Sequence, residues 1–375
     1  MKILVLNYEF PPVGGGGGRA SADLAKSLAG RGHDLRVITS HKLGLERELE
    51  TDGYQVHRVF TGRRSSYRAS FASMLAYVVG AFFPTLIACW SWKPAVMHVH
   101  FAVPTGALAY AVSKLTGIPY LLTVHLGDVP GGVPEKTQRW FQLIYPFTHR
   151  IWRSAAKVVA VSEFTRQLAL EHYDVPITVI PNAVELSRIG SSPKAPNEIP
   201  KLIFAGRFQP QKNLLFLIDA LSHVEDLLWE CTLVGDGPMR RSIEDKIDGL
   251  GLGDRIEVTG WVTSEEVWDR LSDSDILVMP SLSEGLPVVG VQALAQGLAI
   301  VANRAGGLID LVQEGVNGRL CPVGDERCFL DSLRECLSNR DMLARMKGAS
   351  RRLAERFEMR TVAKRYERLL ERIVE

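Results

Sequence analysis

Short apolar runs alternate along this chain with longer stretches whose apolar positions recur at helical spacing, a pattern that predicts parallel strands covered on both faces by helices. In the first half the runs fall at residues 2–7, 35–39, 56–60, 95–99, 120–124, 158–161 and 178–180. A second series starts at 202–205 and continues at 231–234, 256–258, 276–279 and 299–301. Between the two, residues 187–200 are polar and carry Pro193, Pro196 and Pro200, a composition that favours a connection over either regular element. At 375 residues the chain also exceeds what one hydrophobic core usually supports. The expectation is α/β architecture with two Rossmann-like, doubly wound parallel-sheet domains, 1–185 and 201–355, joined by a linker at 186–200. A charged helix over 356–375, apolar at Val362, Tyr366, Leu369, Leu370 and Ile373, must dock and is expected to pack back toward the first domain. Two such sheets, facing each other, would leave a central cleft at the carboxyl ends of their strands, where ligands of these folds bind.

One stretch departs from the alternation. Residues 69–92 hold no formal charge and are long enough to cross a bilayer, but Ser70, Ser73, Thr85, Ser91 and Pro84 interrupt them. A buried or interfacial helix pair is favoured over a span. Arg63, Arg64 and Arg68 before it, and Trp90, Trp92 and Lys93 at its end, suit a peripheral membrane contact.

Charge sharpens this picture. The net +2 hides an asymmetry: up to Ile180 there are 19 Lys/Arg against 12 Asp/Glu, a net of +7, and after it 25 against 30, a net of −5. A basic half can attract anionic lipid, a phosphorylated acceptor or nucleic acid. The five cysteines, Cys89, Cys231, Cys321, Cys328 and Cys336, form no CxxC pair and fit a reducing compartment. The chain opens directly on a strand pattern rather than a signal peptide, so a cytoplasmic protein is expected.

Candidate chemistry sits where strands give way to helices. After the first strand, Pro11-Pro12-Val13 leads into the run Gly14 to Gly18 and then a helical pattern, so backbone N–H groups can approach a phosphate or its sugar at the positive end of a helix. The run lacks the closing Gly-Lys-Ser/Thr of a P-loop, and Thr39-Ser40-His41 stand where a dinucleotide fold wants an acid. In the second half, Gly206-Arg207 and Lys212 put two cations at a strand end, suited to gripping a diphosphate as it leaves. Glu284 lies in the loop after another apolar strand, just before the amides that open a helix, and offers a carboxylate to sugar hydroxyls.

With these residues in view the chain resembles glycosyltransferase family 4, of the GT-B fold, over essentially its whole length. The resemblance is carried by the Pro-Pro-x-x-Gly-Gly loop, Arg31-Gly32-His33, His98-Val99-His100-Phe101, His125-Leu126-Gly127-Asp128, Ile180-Pro181-Asn182-Ala183-Val184, Gly206-Arg207 with Lys212, Val234-Gly235-Asp236-Gly237-Pro238, Gly260-Trp261-Val262 and the segment from Pro280 to Ala295. It implies a retaining, metal-independent transfer of a sugar from a nucleoside-diphosphate donor, with UDP the first expectation, to a glycan or lipid-linked acceptor in polysaccharide biosynthesis. No cofactor, metal or nucleic-acid partner is expected. By the same resemblance Arg207 and Lys212 neutralise the leaving diphosphate, Gly15, Gly16 and Gly17 lie near it, Glu284 holds hydroxyls of the sugar, and His125 stands at the reacting carbon. Gly235, Val262, Gly285, Leu286 and Val288 would line the donor, Val262 through its backbone at the base and Leu286 and Val288 through their amides. Asp128 and His100 fall on the acceptor side, with a structural role for Asp128 the stronger reading.

The sequence departs from the family at one position. Two glutamates with seven residues between them mark it, and the second is here Gln292. A hydrogen bond to a charged group contributes roughly 1.5–3 kcal/mol against about 0.5–1.5 for a neutral one, so the substitution costs about 1 kcal/mol of donor affinity. Two other readings stay open: a sugar-nucleotide epimerase of the same architecture, and a noncatalytic nucleotide-sugar-binding subunit. His98 reads as a core histidine, His149 as a possible acceptor contact, and Trp140 and Trp152 as packing.

Overall fold

The computed structural model describes residues 1–65, 69–133, 140–190 and 194–375, without the side chains of 140–143 and 188. Arg68, the Trp140 ring and the run Ser191-Ser192-Pro193 lie outside the described residues. The chain divides into two compact units, 1–183 with 359–375, and 184–358.

The first unit is built on β1 (Lys2–Leu6), β2 (Asp34–Lys42), β3 (Glu48–Thr51), β4 (Tyr54–Arg63), β5 (Val96–His100), β6 (Tyr120–Val124), β7 (Lys157–Ala160) and β8 (Ile177–Val179). Among the described residues these form one sheet in the order β3-β4-β2-β1-β5-β6-β7-β8, parallel except for β3 on β4. Its helices are α1 (Gly16–Ala29), α2 (Phe71–Ser91), α3 (Ala107–Thr116), α4 (Trp140–Ser154) and α5 (Glu163–Leu170). Strand β1 shows why the apolar runs are unbroken. Leu4 and Leu6 enter a core with Ile38, Tyr77 and Val99, while Ile3 and Val5 enter a second core on the other face with Leu24, Leu28 and Tyr366. Each fully buried side chain of this kind contributes about 1.5–3 kcal/mol.

In this unit two elements differ from the sequence expectation. Strand β3 was not anticipated: its four residues carry one apolar side chain, and it is defined by the Asp52-Gly53 turn, whose φ angles of 49° and 81° suit a tight hairpin. The apolar stretch forms one 21-residue helix, α2, rather than a pair. Pro84 removes a single backbone donor, and anchors in the turns before it hold the helix to the sheet. Tyr77 Oη donates to the Ile38 carbonyl at 3.0 Å, and Gly80 lies so close to β4 that a Cβ there would meet the Phe60 oxygen at 3.1 Å.

The second unit has β9 (Lys201–Ala205), β10 (Glu230–Val234), β11 (Ile256–Gly260), β12 (Ile276–Met279), β13 (Ala299–Asn303) and β14 (Gly318–Cys321), a parallel sheet in the order β11-β10-β9-β12-β13-β14. The unanticipated β14 is another four-residue strand, admitted because position 318 is glycine: a Cβ there would stand 2.0 Å from the Ile300 carbonyl oxygen. Its helices are α6 (Leu214–Ser222), α7 (Arg240–Gly249), α8 (Ser264–Ser272), α9 (Val288–Gln296), α10 (Glu326–Ser338) and α11 (Arg340–Leu353). The described part of 186–200 is held to this unit. Asp275, fully buried, pairs with Lys347 at 2.6 Å and accepts from the backbone of Asn197 and Lys201, while Arg340 donates to the Pro196 carbonyl. Removing one partner of such a buried pair costs about 3–5 kcal/mol.

The C-terminal helix α12 (Met359–Val374) belongs to the first unit. Met359, Val362, Ala363, Tyr366 and Leu370 are buried there, and Glu367 pairs with both Arg31 and His33.

Candidate functional site

In the second unit the strand order reverses between β9 and β12, so the topological switch point, where ligands of such folds bind, falls at the loops leaving these strands. The loop after β9 carries Gly206-Arg207 and ends in a short turn, Pro210–Lys212, that presents Lys212. The loop after β12 carries Glu284. The two loops are stitched together: Leu282 N donates to the Gln211 carbonyl at 2.8 Å, Gln211 Nε2 donates to the Ser283 carbonyl at 2.5 Å, and Lys212 Nζ donates to Glu284 Oε1 at 2.5 Å. The Glu284 side chain is only 7% exposed and that of Lys212 18%. The main chain of Glu284 is fixed as well, because Gly307 N donates to its carbonyl at 3.0 Å and Gly306 leaves no room for a Cβ. An ammonium has three donors, so Lys212 can hold Glu284 and an anionic oxygen together.

Helix α9 starts at Val288, with Pro287 as its N-cap. The N–H groups of Val288 and Val289 therefore open the helix, a donor pair reinforced by its dipole. Gln292 is one turn further along the same face and half-buried. On the other side of β9, Gly235 N donates to the Gly260 carbonyl at 3.0 Å, which brings the loops after β10 and β11 together and places Trp261-Val262 beside Gly235. Gly235, at φ 142°, lies against the Gly206 carbonyl, where a Cβ would be 1.9 Å from the oxygen. Arg207, Lys212, Gly235, Val262, Glu284, Gly285, Leu286, Val288 and Gln292 all follow carboxyl ends of adjacent strands in this unit.

The first unit makes a site of different character. Its strand order reverses between β1 and β5. Gly15 is the N-cap of α1, so Gly15, Gly16 and Gly17 straddle a helix start. Gly17 faces the loops after β5 and β6: a Cβ there would meet Phe101 Cζ at 2.8 Å and His125 Cε1 at 3.3 Å. The Phe101 and His125 rings stack at 4.4 Å. Asp128 is buried and acts on the backbone, its Oδ2 accepting from His125 N and its Oδ1 from Ala102 N, both at 2.8 Å. It ties the loop after β6 to the loop after β5. Beneath lies a row of imidazoles, His98 against His100 at 4.4 Å and His100 against His125 at 6.0 Å. His98 is a core residue, its Nε2 within 3.0 Å of Thr123 Oγ1. Among the described residues, both ring nitrogens of His100 and Nε2 of His125 are buried without a hydrogen-bond partner. Together with Thr123, Asn182 and Tyr366 these two histidines line part of a small cavity otherwise walled by Ala20, Leu24, Pro181, Ala183, Met359 and Val362.

Burial sets the protonation of this row. It lowers His125 to about 4 against a slight opposing pull from Glu9, lowers His98 to about 3, and holds His100 well below the usual range with His98 and His125 adding to the effect. All three are neutral at pH 7. A neutral imidazole gives a ligand hydroxyl one N–H or one lone pair, not a charge.

Two residues here carry roles the sequence reading did not assign. Glu9 is buried and its Oε2 accepts from Gly15 N at 3.1 Å, with Gly14 and Gly18 both packed on it. Its signal was a lone carboxylate just before the glycine run. Phe101 adopts φ 70° without being glycine, held by Phe101 N donating to the Thr123 carbonyl and Gly106 N to its own carbonyl. Arg63 was read as a membrane-facing cation, yet its side chain is 2% exposed and lies 3.8 Å from Glu9. His149 packs between Tyr145 and Tyr173, and Trp152 stacks on Tyr173 at 4.0 Å. Among the described residues no three His, Cys, Asp or Glu side chains gather as a metal ion would need.

Comparison with known proteins bears on both sites. Residues 15–183 match the family described as "Glycosyl transferase 4-like domain" and residues 189–353 that described as "Glycosyl transferases group 1". A protein of Bacillus subtilis (strain 168), named for teichuronic acid biosynthesis as a glycosyltransferase, is 31% identical over 228 residues, which cover 58% of this chain and 55% of that one. The chain thus matches little more than half of that relative's length. Among solved structures, sucrose-phosphate synthase from Thermosynechococcus elongatus superposes with a TM-score of 0.87 at 20% identity, over 99% of this chain and 98% of that one. The Anabaena protein HepE, in complex with UDP-glucose, superposes with a TM-score of 0.78 at 19% identity, over 99% of this chain and 100% of that one. At these identities the structural likeness is one of fold.

Proposed function

This chain belongs to the family 4 glycosyltransferases, with the GT-B fold, and on that premise we propose that it moves a sugar from a nucleoside-diphosphate donor, a UDP-sugar first, to a glycan or lipid-linked acceptor with retention at the anomeric carbon and without a metal ion. The observation that carries the proposal is the stitched pair of loops at the switch point of the second unit, where Lys212 and Glu284 are locked together beside Arg207 and the start of α9. Cations and helix amides suit the diphosphate, and the carboxylate suits the hydroxyls of the sugar. HepE, of the same fold, binds UDP-glucose, which supports a uridine donor here.

In the proposed reaction the bond from the anomeric carbon to the phosphate oxygen breaks while the acceptor oxygen bonds to that carbon on the same face. The departing phosphate oxygen takes the acceptor's proton, so no protein base is required. Arg207 and Lys212 stabilise the charge that builds on the phosphate. Neutral His125 serves as a hydrogen-bond partner to a sugar hydroxyl, a role that its uncharged state permits.

A thermal-shift screen with nucleoside diphosphates and their sugars tests the donor. UDP and a UDP-sugar at a hundred times Kd should stabilise the protein by about 2.7 kcal/mol, read as several degrees in Tm. NMR of the product's anomeric proton then reads the stereochemistry. An inverted product, or strict dependence on a divalent cation, would overturn the mechanism while leaving the family intact.

A further inference from the structure

We propose that α2 and the neighbouring end of α4 form a docking surface for an anionic lipid bilayer, entered from one side rather than crossed. Phe71, Leu75, Val79, Phe83, Ile87 and Trp90 recur at intervals of four, four, four, four and three, which keeps them on one face of the helix. Each is between 55% and 68% exposed. Phe147 on α4, equally exposed, extends the surface, and an open apolar groove lined by Met74, Val78, Val103, Pro104, Ile144 and Ile151 lies between the two helices. Exposed apolar area this continuous marks an interaction site.

Charge selects the occupant. Residues 53–162 contain eleven Lys/Arg and two Asp/Glu. Arg58 and Arg63 are buried, and so is Asp128, but Arg64, Lys93, Lys114, Arg150, Arg153 and Lys157 are exposed. Arg150 lies 5.7 Å over the Phe147 ring, so cation and apolar surface are contiguous. A second copy of this chain would bring like charges face to face, whereas a leaflet of anionic headgroups answers both the cations and the apolar stripe. A span is excluded by the other face of α2, where Tyr77, Ala81 and Thr85 are fully buried and Tyr77 is bonded to β2. A helix packed into a sheet cannot also be surrounded by lipid.

The test is flotation of the full chain with vesicles of phosphatidylcholine alone or with 30% phosphatidylglycerol. The protein should float with the anionic vesicles at low salt, detach in part at high salt, and float little with neutral ones. Val79→Gln combined with Phe83→Gln, both exposed, should cut the bound fraction on the order of tenfold at unchanged Tm. Arg150→Glu with Arg153→Glu should do so only for anionic vesicles. Absence of flotation overturns the proposal. So does a lipid-free dimer that V79Q/F83Q dissociates, which assigns the face to a second copy, and so does retention after an alkaline carbonate wash, which signifies a span. None of these readouts uses sugar transfer, so the docking surface and the proposed reaction stand or fall separately.

Discussion

The two units place their candidate residues at the same point of the same topology and fill it with opposite chemistry. In the second unit the switch point holds Arg207, Lys212 and Glu284, charged groups whose work is electrostatic. In the first unit the corresponding point holds Gly17, Phe101 and three imidazoles kept neutral by burial. The contrast teaches that fold position alone does not decide what a site recognises. One unit offers charge, which suits an anion, and the other neutral donors and acceptors, which suit hydroxyls, and each can be broken by a different perturbation.

Acid separates them most. A histidine whose folded pKa lies below its unfolded value of about 6.5 binds fewer protons in the folded state. Its effect on stability is therefore absent above pH 6.5, and stability is lost as pH falls from there toward the folded pKa. For His125, lowered to about 4, the loss between pH 7 and pH 5 is about 2 kcal/mol, and His98 and His100 act in the same direction. Hydrogen exchange at pH 5, corrected for intrinsic rates, should show β5 and β6 deprotected relative to pH 7. Unchanged protection there would mean that the imidazoles are accessible to protons in the native state.

Next in size, Lys212→Ala attacks the charged site. Turnover should drop on the order of a hundredfold or more, with a smaller change in KM, because the ammonium acts chiefly on charge that develops at the leaving phosphate. The variant also leaves the nearly buried Glu284 carboxylate without its cation, so Tm must be recorded alongside. A variant that folds and turns over normally would remove Lys212 from the mechanism.

Gly17→Ala probes the neutral site by volume alone. The new methyl would stand 2.8 Å from Phe101 Cζ and must displace the ring that stacks on His125. Overpacking of this sort costs about 1–3 kcal/mol. Turnover should fall roughly tenfold, and Phe101→Leu, which frees the space, should restore part of it in the double variant. Additive losses would show that Gly17 and Phe101 are not coupled.

How far the sequence disclosed each site follows from the same contrast. Charged residues at strand ends announce themselves, so Arg207, Lys212 and Glu284 could be named from spacing and chemistry before any fold was known. The buried strands were equally legible, since a run such as Ile3 to Leu6 is apolar at every position when both faces are covered. Strands β3 and β14 were not, because four residues with one or two apolar side chains give no period. Glu9 and Phe101 escaped for other reasons. Phe101 takes its role from contacts with the end of β6 and the start of α1, distant in sequence, and nothing local marks it for a positive φ. Glu9 acts only six residues along, on Gly15 N, and a lone carboxylate is too common to stand out. Arg63 was misread because its charge is visible in the sequence while its burial beside Glu9 is not.

The smallest effect tests whether the charged site is complete. Gln292 occupies α9 one turn beyond Val288, where the family has a second carboxylate. An amide can accept from a ribose hydroxyl as a carboxylate does, but the charged bond is stronger by about 1 kcal/mol. Gln292→Glu should therefore tighten UDP-sugar binding several-fold and leave turnover nearly unchanged, because the ribose is equally bound before and during transfer. Isothermal titration with UDP and UDP-glucose reads the difference. If the carboxylate instead weakens binding, Gln292 is matched to this chain's own ligand, and the departure from the family at that position marks a different nucleoside or a different hold on its sugar.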